Sequence, residues 1–112
     1  MAIERTIEIA DKMVKMKASA DTPRLYRHLF GCDLFQDMNR LNLNVKKGSL
    51  DTGNTEVLEN IAYAMAKQAE PKLPPIDEWL DQFGMFDIFF ASGDILNMWA
   101  ANTKTASEAK KK

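Results

Sequence analysis

A chain of 112 residues is the size of one domain, and its formal net charge of −1 argues against the basic surface that a nucleic-acid partner requires. The hydrophobic share of 46% and charged share of 28% are typical of a globular protein rather than a disordered one. Cys32 is the only cysteine, residues 1–10 lack the apolar run of a signal peptide, and no stretch has the length of a membrane span. The composition therefore predicts a cytosolic protein that folds without a disulfide or a metal.

The first predicted element is a short β-hairpin over residues 6–18. Ile7 and Ile9 alternate with polar residues before Asp11-Lys12, which is the predicted turn, and the alternation resumes with Val14, Met16 and Ala18. An isolated two-stranded hairpin is only marginally stable. We therefore expect the hairpin to pack on the helices or to extend another sheet.

Two helices are predicted next. Asp21-Thr22-Pro23 favours a helix start, because Asp or Thr can accept a free backbone N–H and proline suits the first helical position. Gly31 is placed to end this helix, and a second helix is predicted from Asp33. The residues expected on the buried sides of the pair are Leu25, Tyr26, Leu29, Phe30, Leu34, Phe35, Met38 and Leu41.

A polar stretch rich in Gly, Ser and Asp, residues 44–53, predicts an exposed loop before the third helix. Asn54 is the expected N-cap of that helix, Glu56 suits the positive end of its dipole, and Pro71 ends it. Its predicted apolar face consists of Val57, Leu58, Ile61, Ala62 and Met65. A stiff connector with three prolines is predicted to follow at Pro71, Pro74 and Pro75.

The last predicted block is the most aromatic. Four rings recur at i, i+4, i+7 and i+11 and would form one stripe on a continuous helix: Trp79, Phe83, Phe86 and Phe90. The apolar phase changes after Ser92-Gly93, with Ile95, Leu96 and Trp99 on a new face, which predicts a break there. Residues 102–112 are predicted to be a flexible polar tail, which leaves residues 1–101 as the domain. The predicted fold is mainly α, with about five helices and a short N-terminal β-hairpin.

Few residues point to catalysis. His28 and Cys32 are four positions apart and Asp33 is adjacent, but a zinc site needs further ligands and a Cys-His nucleophile needs an orienting group. A semi-buried cysteine beside an exposed histidine is the favoured interpretation. A cluster of acids is expected at the start of the fourth helix for its dipole rather than for catalysis: Asp77, Glu78 and Asp81. The sequence predicts no enzyme, no cofactor and no metal.

The seven methionines and ten aromatic residues of this short chain have two interpretations: most of them are expected in the core, and the surplus is expected to form a binding surface. Methionine side chains repack easily, and aromatic residues contribute strongly to interfaces. We therefore predict a protein-binding surface that contains Met85, Phe86, Phe89, Phe90, Met98 and Trp99.

Two blocks of sequence carry a resemblance to a known family. The first consists of residues 17–31 (KASADTPRLYRHLFG) and 33–38 (DLFQDM), and the second of residues 56–69, 78–83 and 85–88. In this order they resemble the tail assembly chaperones of long-tailed phages or prophages of Gram-positive bacteria. The resemblance covers most of residues 14–103. The first dozen residues are not distinctive, and two glycines, Gly84 and Gly93, loosen helices that the family pattern would make firmer.

The resemblance implies a late protein of the host cytoplasm that is absent from the mature virion. It implies that the chain binds the phage tape measure protein, keeps it soluble and promotes tail tube assembly around it, with the tail tube protein as a further partner. Self-association is expected through the hairpin edge or the surface of residues 79–99. Such proteins commonly have a longer frameshifted version, and Lys110-Lys111-Lys112 permit an A-rich slippery run in the gene.

Other classes of protein share these features. A generic helical adaptor or regulator has the same composition, and a gene position between the tail tube and tape measure genes would separate a tail chaperone from it. A DNA-binding regulator would use residues 23–43 as a helix-turn-helix with Arg24, Arg27 and Arg40, although a concentrated basic face is lacking. A zinc enzyme built on His28 and Cys32 is the weakest alternative.

Overall fold

The computed structural model describes the backbone of residues 2–46 and 52–98 and the side chains of residues 2–40 and 56–98. In this part of the chain two strands precede six helices, which confirms the predicted mainly α fold with an N-terminal hairpin. The elements are β1 (Ile3–Ile9), β2 (Lys12–Ala18), α1 (Thr22–Phe30), α2 (Leu34–Lys46), α3 (Thr52–Ala69), α4 (Ile76–Leu80), α5 (Asp87–Phe90) and α6 (92–98). The predicted tail and Trp99 lie outside the described residues.

The hairpin pairs β1 with β2 in antiparallel register, with Ile9 opposite Lys12. The turn is therefore Ala10-Asp11, and the predicted turn Asp11-Lys12 is wrong by one residue. Alternation cannot separate the two registers, because both place the same residues on the core face. That face buries the expected residues, and only Val14 among them stays partly exposed: Ile7, Ile9, Val14, Met16 and Ala18.

α3 is the central element, in contact with β2, α1, α2, α4 and α5. Every residue from 61 to 66 is buried, so this part of the helix has packing partners on all sides. Small side chains at Ala62, Ala64 and Ala66 allow the neighbouring elements to approach closely. The predicted apolar face is confirmed as buried: Val57, Leu58, Ile61, Ala62 and Met65.

α1 ends at Gly31 as predicted, with a φ of 69° that glycine adopts without strain. Its start differs from the prediction, because no side chain caps the helix. The Thr22 hydroxyl instead accepts a hydrogen bond from the Ser19 backbone N–H (2.9 Å) and donates one to Gln68 Oε1 (2.6 Å). The Gln68 amide donates in turn to Ser19 Oγ (2.6 Å), so α3 is tied to the junction between the hairpin and α1.

α2 starts as predicted, because the Asp33 carboxylate accepts the Phe35 N–H at 2.9 Å. Leu34 and Met38 are buried, but Phe35 is 59% exposed and its predicted burial is wrong. The helical rotation of about 100° per residue turns Phe35 away from the side that Leu34 and Met38 share. Leu41 is outside the described side chains.

The predicted loop at 44–53 is wrong at both ends, since α2 continues to Lys46 and α3 already begins at Thr52. Asn54 therefore lies inside α3 and is not its N-cap, and Glu56 lies beyond the first turn. Polar residues lower helix propensity only weakly, so composition alone misplaced these ends. Residues 47–51 are outside the described part. The connector with Pro71, Pro74 and Pro75 is non-helical, as predicted.

The continuous helix predicted from Trp79 is wrong. α4 ends at Leu80, the chain is non-helical over 81–86, and α5 spans only Asp87–Phe90. The break expected after Ser92-Gly93 lies at Ala91, and α6 begins directly after it. Because residues 81–86 do not continue the helix, the four aromatic residues do not form one stripe.

Candidate protein-binding surface

Five aromatic rings form a ladder through the core: Tyr26, Phe30, Tyr63, Trp79 and Phe83. Successive ring centroids are 4.9, 6.5, 5.5 and 5.1 Å apart, and each pair is arranged edge to face. Each such pair contributes about 0.5–1.5 kcal/mol beyond the burial of its area. Trp79 and Phe83, two members of the predicted stripe, therefore stabilise the fold rather than offer a binding surface.

A tight turn at residues 84–87 separates this ladder from the other aromatic residues. The Asp87 N–H donates to the Gly84 carbonyl at 3.1 Å, which closes a β-turn. The Asp87 carboxylate accepts the Gly84 N–H at 2.6 Å, so the same two residues are bonded in both directions. A Cβ on Gly84 would lie 3.1 Å from that carboxylate, a close approach that glycine avoids.

Met85 and Phe86 occupy the two central positions of this turn, where polar residues and glycine are usual. Phe86 has φ −110° and ψ 4°, close to the third residue of a type I turn. Met85 is 88% exposed, Phe86 61% and Phe90 78%. The turn thus presents large apolar side chains to solvent instead of turning them inward.

The rings of Phe86 and Phe89 each pack against Phe90, with centroids 6.4 and 6.1 Å apart. Phe89 is half-buried and packs against the core. We call this group the outer cluster; its members are Met85, Phe86, Phe89 and Phe90. A contiguous exposed apolar group of this kind is typical of a protein-interaction site.

The predicted binding surface is therefore only partly assembled. Four of its residues lie together in the outer cluster, and Phe89 forms the inner side of that group. Met98 has 0% exposure and belongs to the core on α6, so it is not part of the exposed group. Trp99 is outside the described residues. The sequence did contain a sign of the turn, because Gly84 precedes Asp87 by three residues, but the aromatic spacing favoured a helix.

A second surface feature, absent from the sequence predictions, is a groove of about 710 Å³ between α1, α3 and α4. We call it the acidic groove. Among the described residues, its apolar part comes from α1 and α4, and three carboxylates come from α3 and α4. The lining residues are Leu29, Phe30, Cys32, Glu56, Glu59, Asn60, Ile76, Asp77 and Leu80.

The described charged residues that line the acidic groove are all negative. In the part of the chain that the structure describes, no Lys or Arg forms an ion pair with Glu56, Glu59 or Asp77. Burial, together with the charge of Glu56, raises the pKa of Glu59 above its ordinary value. Three carboxylates therefore face an apolar floor without a compensating cation from the described residues.

A buried polar network lies between α1 and α2. The Tyr26 hydroxyl donates to Asp37 Oδ2 at 2.7 Å, and Arg40 donates to Asp37 Oδ1 at 2.6 Å. Burial, reinforced by the hydrogen bond to Asp37 and the charge of its carboxylate, raises the pKa of Tyr26. Arg40, one of the three arginines of the helix-turn-helix alternative, therefore forms an ion pair within α2, although its side chain is 64% exposed.

The remaining candidates do not assemble into a site among the described residues. Gly31 ends α1 between His28 and Cys32, so the two do not share one helix; both are exposed, and the predicted semi-burial of Cys32 is wrong. No group of three or more His, Cys, Asp or Glu in the described residues is placed to hold a metal ion. Asp77 and Glu78 lie in the first turn of α4 as predicted, whereas Asp81 is at its C-terminal end.

In comparisons with known proteins, no family model, no curated protein and no solved structure matches this chain. None of the helices in the described residues is long and apolar enough to cross a membrane.

Proposed function

We propose that this protein is a phage tail assembly chaperone that binds the tape measure protein through the outer cluster. The observation that carries the proposal is the turn at 84–87, which displays Met85 and Phe86 beside the exposed ring of Phe90. The two sequence blocks that resemble tail assembly chaperones supply the identity of the client. The second of these blocks includes Met85, Phe86 and Asp87 of the turn but not Gly84.

The physical properties of the outer cluster suit transient binding of an apolar client. A flexible methionine and two exposed rings can repack against different helical segments, whereas a rigid pocket would select one segment. A small apolar contact gives moderate affinity, and many chaperone copies along a long client would add avidity. Such binding keeps the client soluble and still permits its release when tail tube subunits assemble.

The first test is co-expression of this protein with the tape measure protein of the same genome. We expect the client to become soluble and to co-purify, in contrast to a culture that expresses the client alone. A gene position between the tail tube and tape measure genes would support the same proposal. A client that remains insoluble and unbound would favour the generic adaptor instead.

Substitution of the exposed rings tests the surface itself. The double variant Phe86→Asp/Phe90→Asp should lower recovery of soluble client by about tenfold, because aromatic anchors carry most of the binding energy of such contacts. Its unfolding free energy should fall by only about 0.5–1.5 kcal/mol, the value of one edge-to-face ring pair, since both side chains are largely exposed and Phe90 contacts the half-buried ring of Phe89. Recovery and urea unfolding measure the two effects.

Phe35→Asp is the matched control, because Phe35 is 59% exposed and lies on α2. This variant should retain client recovery close to that of the unchanged protein. Equal losses in the control and in the double variant would show that general surface hydrophobicity, and not the outer cluster, holds the client.

A further inference from the structure

The acidic groove combines an apolar floor with carboxylates on two of its walls. Phe30, Ile76 and Leu80 contribute to the floor and are each only partly buried. Glu56 and Glu59 lie on the α3 wall, and Asp77 lies on the α4 wall. An occupant that matches this arrangement needs an apolar face flanked by positive charge.

The secondary structure of the walls favours a helical occupant. The walls are formed by the helices α1, α3 and α4, so they offer no strand edge to pair with an extended peptide. A helix brings its own backbone hydrogen bonds and needs only side-chain contacts. Helices in grooves of this type are recognised through apolar residues at i, i+3, i+4 and i+7.

The charge of the groove specifies the polar part of the occupant. The charge of Glu56 acts on Glu59, Asp77 adds a third carboxylate on the opposite wall, and no ion pair with a described residue offsets these negative charges. A cation placed between the walls would offset them and form charge-assisted hydrogen bonds. An anionic helix of the same apolar pattern would meet additional repulsion and be rejected.

We infer that the acidic groove is a docking site for an amphipathic helix of a partner protein that carries Lys or Arg beside its apolar face. This inference goes beyond the proposed function, because it concerns a different surface and would hold for any partner with such a helix. The groove selects the occupant by charge, whereas the outer cluster is purely apolar.

The test uses the full chain and two synthetic peptides of equal length. Both carry leucine at i, i+3, i+4 and i+7; one has lysine at the flanking positions and the other has glutamate. Calorimetric titration should detect binding of the lysine peptide only, and its affinity should fall as salt rises, because ion pairs at the groove edge are screened. Binding of both peptides with equal affinity would overturn the inference.

A charge-reversal variant locates the binding. Glu56→Lys/Asp77→Lys should weaken binding of the lysine peptide by about tenfold and create binding of the glutamate peptide. The matched control is Glu8→Lys/Asp94→Lys, which makes the same change in net charge at exposed residues outside the groove. Equal weakening in both variants would show diffuse charge attraction and overturn the inference. Circular dichroism confirms that both variants fold.

Cys32 provides an independent check of position. It is the only cysteine of the chain, it is exposed, and it lines the groove. An environment-sensitive fluorophore attached to Cys32 should shift its emission when the lysine peptide binds and should not shift with the glutamate peptide. A calorimetric signal without any change at Cys32 would place the peptide elsewhere and contradict the inference. Loss of client binding at the outer cluster would leave all these results unchanged, so the two proposals fail independently.

Discussion

The hydrogen bond between Tyr26 and Asp37 is a buried polar contact that joins α1 to α2. The Asp37 side chain is only 9% exposed and receives hydrogen bonds from Tyr26 and Arg40. Tyr26→Phe removes one donor to a buried carboxylate and should lower the unfolding free energy by about 1–3 kcal/mol. Tyr63→Phe is the control, because its hydroxyl donates to a neutral acceptor, the Pro74 carbonyl, at 2.6 Å. Equal losses in urea unfolding would contradict the argument.

The raised pKa of Tyr26 predicts that the stability of the protein depends on pH in the alkaline range. Because burial and Asp37 raise the pKa of Tyr26, the unfolded chain loses this proton first as pH rises. The contribution of Tyr26 is thus complete below the unfolded pKa of about 10 and is lost as pH rises above it. Over the range of about pH 9 to 11, which brackets the tyrosine pKa in the unfolded chain, the unchanged protein should lose more stability than Tyr26→Phe. Parallel curves for the two proteins would contradict this.

Glu59 should destabilise the fold at neutral pH. Burial and the charge of Glu56 raise its pKa, so its contribution is most favourable below the unfolded pKa of about 4.3 and is lost as pH rises through the folded pKa. Glu59→Gln should therefore raise the melting temperature at pH 7. The difference in melting temperature between the variant and the unchanged protein should vanish at about pH 4 and below, because the carboxyl group of the unfolded chain is then protonated. Glu8→Gln, at an exposed site, should change neither value. A lower melting temperature for Glu59→Gln at pH 7 would contradict this interpretation.

At the scale of the element, the turn at 84–87 depends on Asp87. Asp87→Ala removes the acceptor of the Gly84 N–H and should speed hydrogen exchange at that amide, with a stability loss of about 1 kcal/mol. Client recovery should also fall, because Met85 and Phe86 lose their fixed positions while remaining in the chain. Asp87→Asn is the control, since its side-chain oxygen can still accept the bond. Unchanged exchange at Gly84 in the alanine variant would refute the role of the carboxylate.

Periodicity predicted the elements whose apolar residues face one side. The hairpin face, Tyr26 on α1 and the Val57–Leu58–Ile61 side of α3 are buried as expected. Composition predicted the helix ends less well, because polar residues such as Asn54 can lie inside a helix that packing stabilises. The hairpin turn was misplaced because both registers bury the same side chains.

The candidate site was predicted by residue type but not by structure. Spacing alone assigned Trp79 and Phe90 to one stripe, whereas Trp79 is 2% exposed and Phe90 is 78% exposed. The cause is the local bonding of Gly84 and Asp87, which competes with helix formation and cannot be deduced from hydrophobic period. Glu59 was missed for another reason: the groove exists only after α1, α3 and α4 meet.

At the scale of the molecule, α4 connects the core with both candidate surfaces. Trp79 anchors it in the aromatic ladder, Ile76 and Leu80 line the acidic groove, and the chain then continues into the turn of the outer cluster. The hairpin also reaches this region, because Lys12 donates to Gln82 Oε1 at 3.1 Å. The two surfaces thus rest on elements fixed by the core, which limits the entropy lost when a partner binds.

The last prediction concerns the central position of α3. Ala64 has 0% exposure within a stretch that is buried on every side, so a larger side chain there has no free surface to enter. Ala64→Leu should lower the unfolding free energy by about 1–3 kcal/mol through overpacking. Since α3 contacts β2 and four helices, tryptophan fluorescence and far-UV circular dichroism should report the same lower urea midpoint. Ala20→Leu, at an exposed residue, should change stability by less than about 0.5 kcal/mol. Separate midpoints for the two probes would mean that the elements around α3 unfold independently, and α3 would then not be the common core.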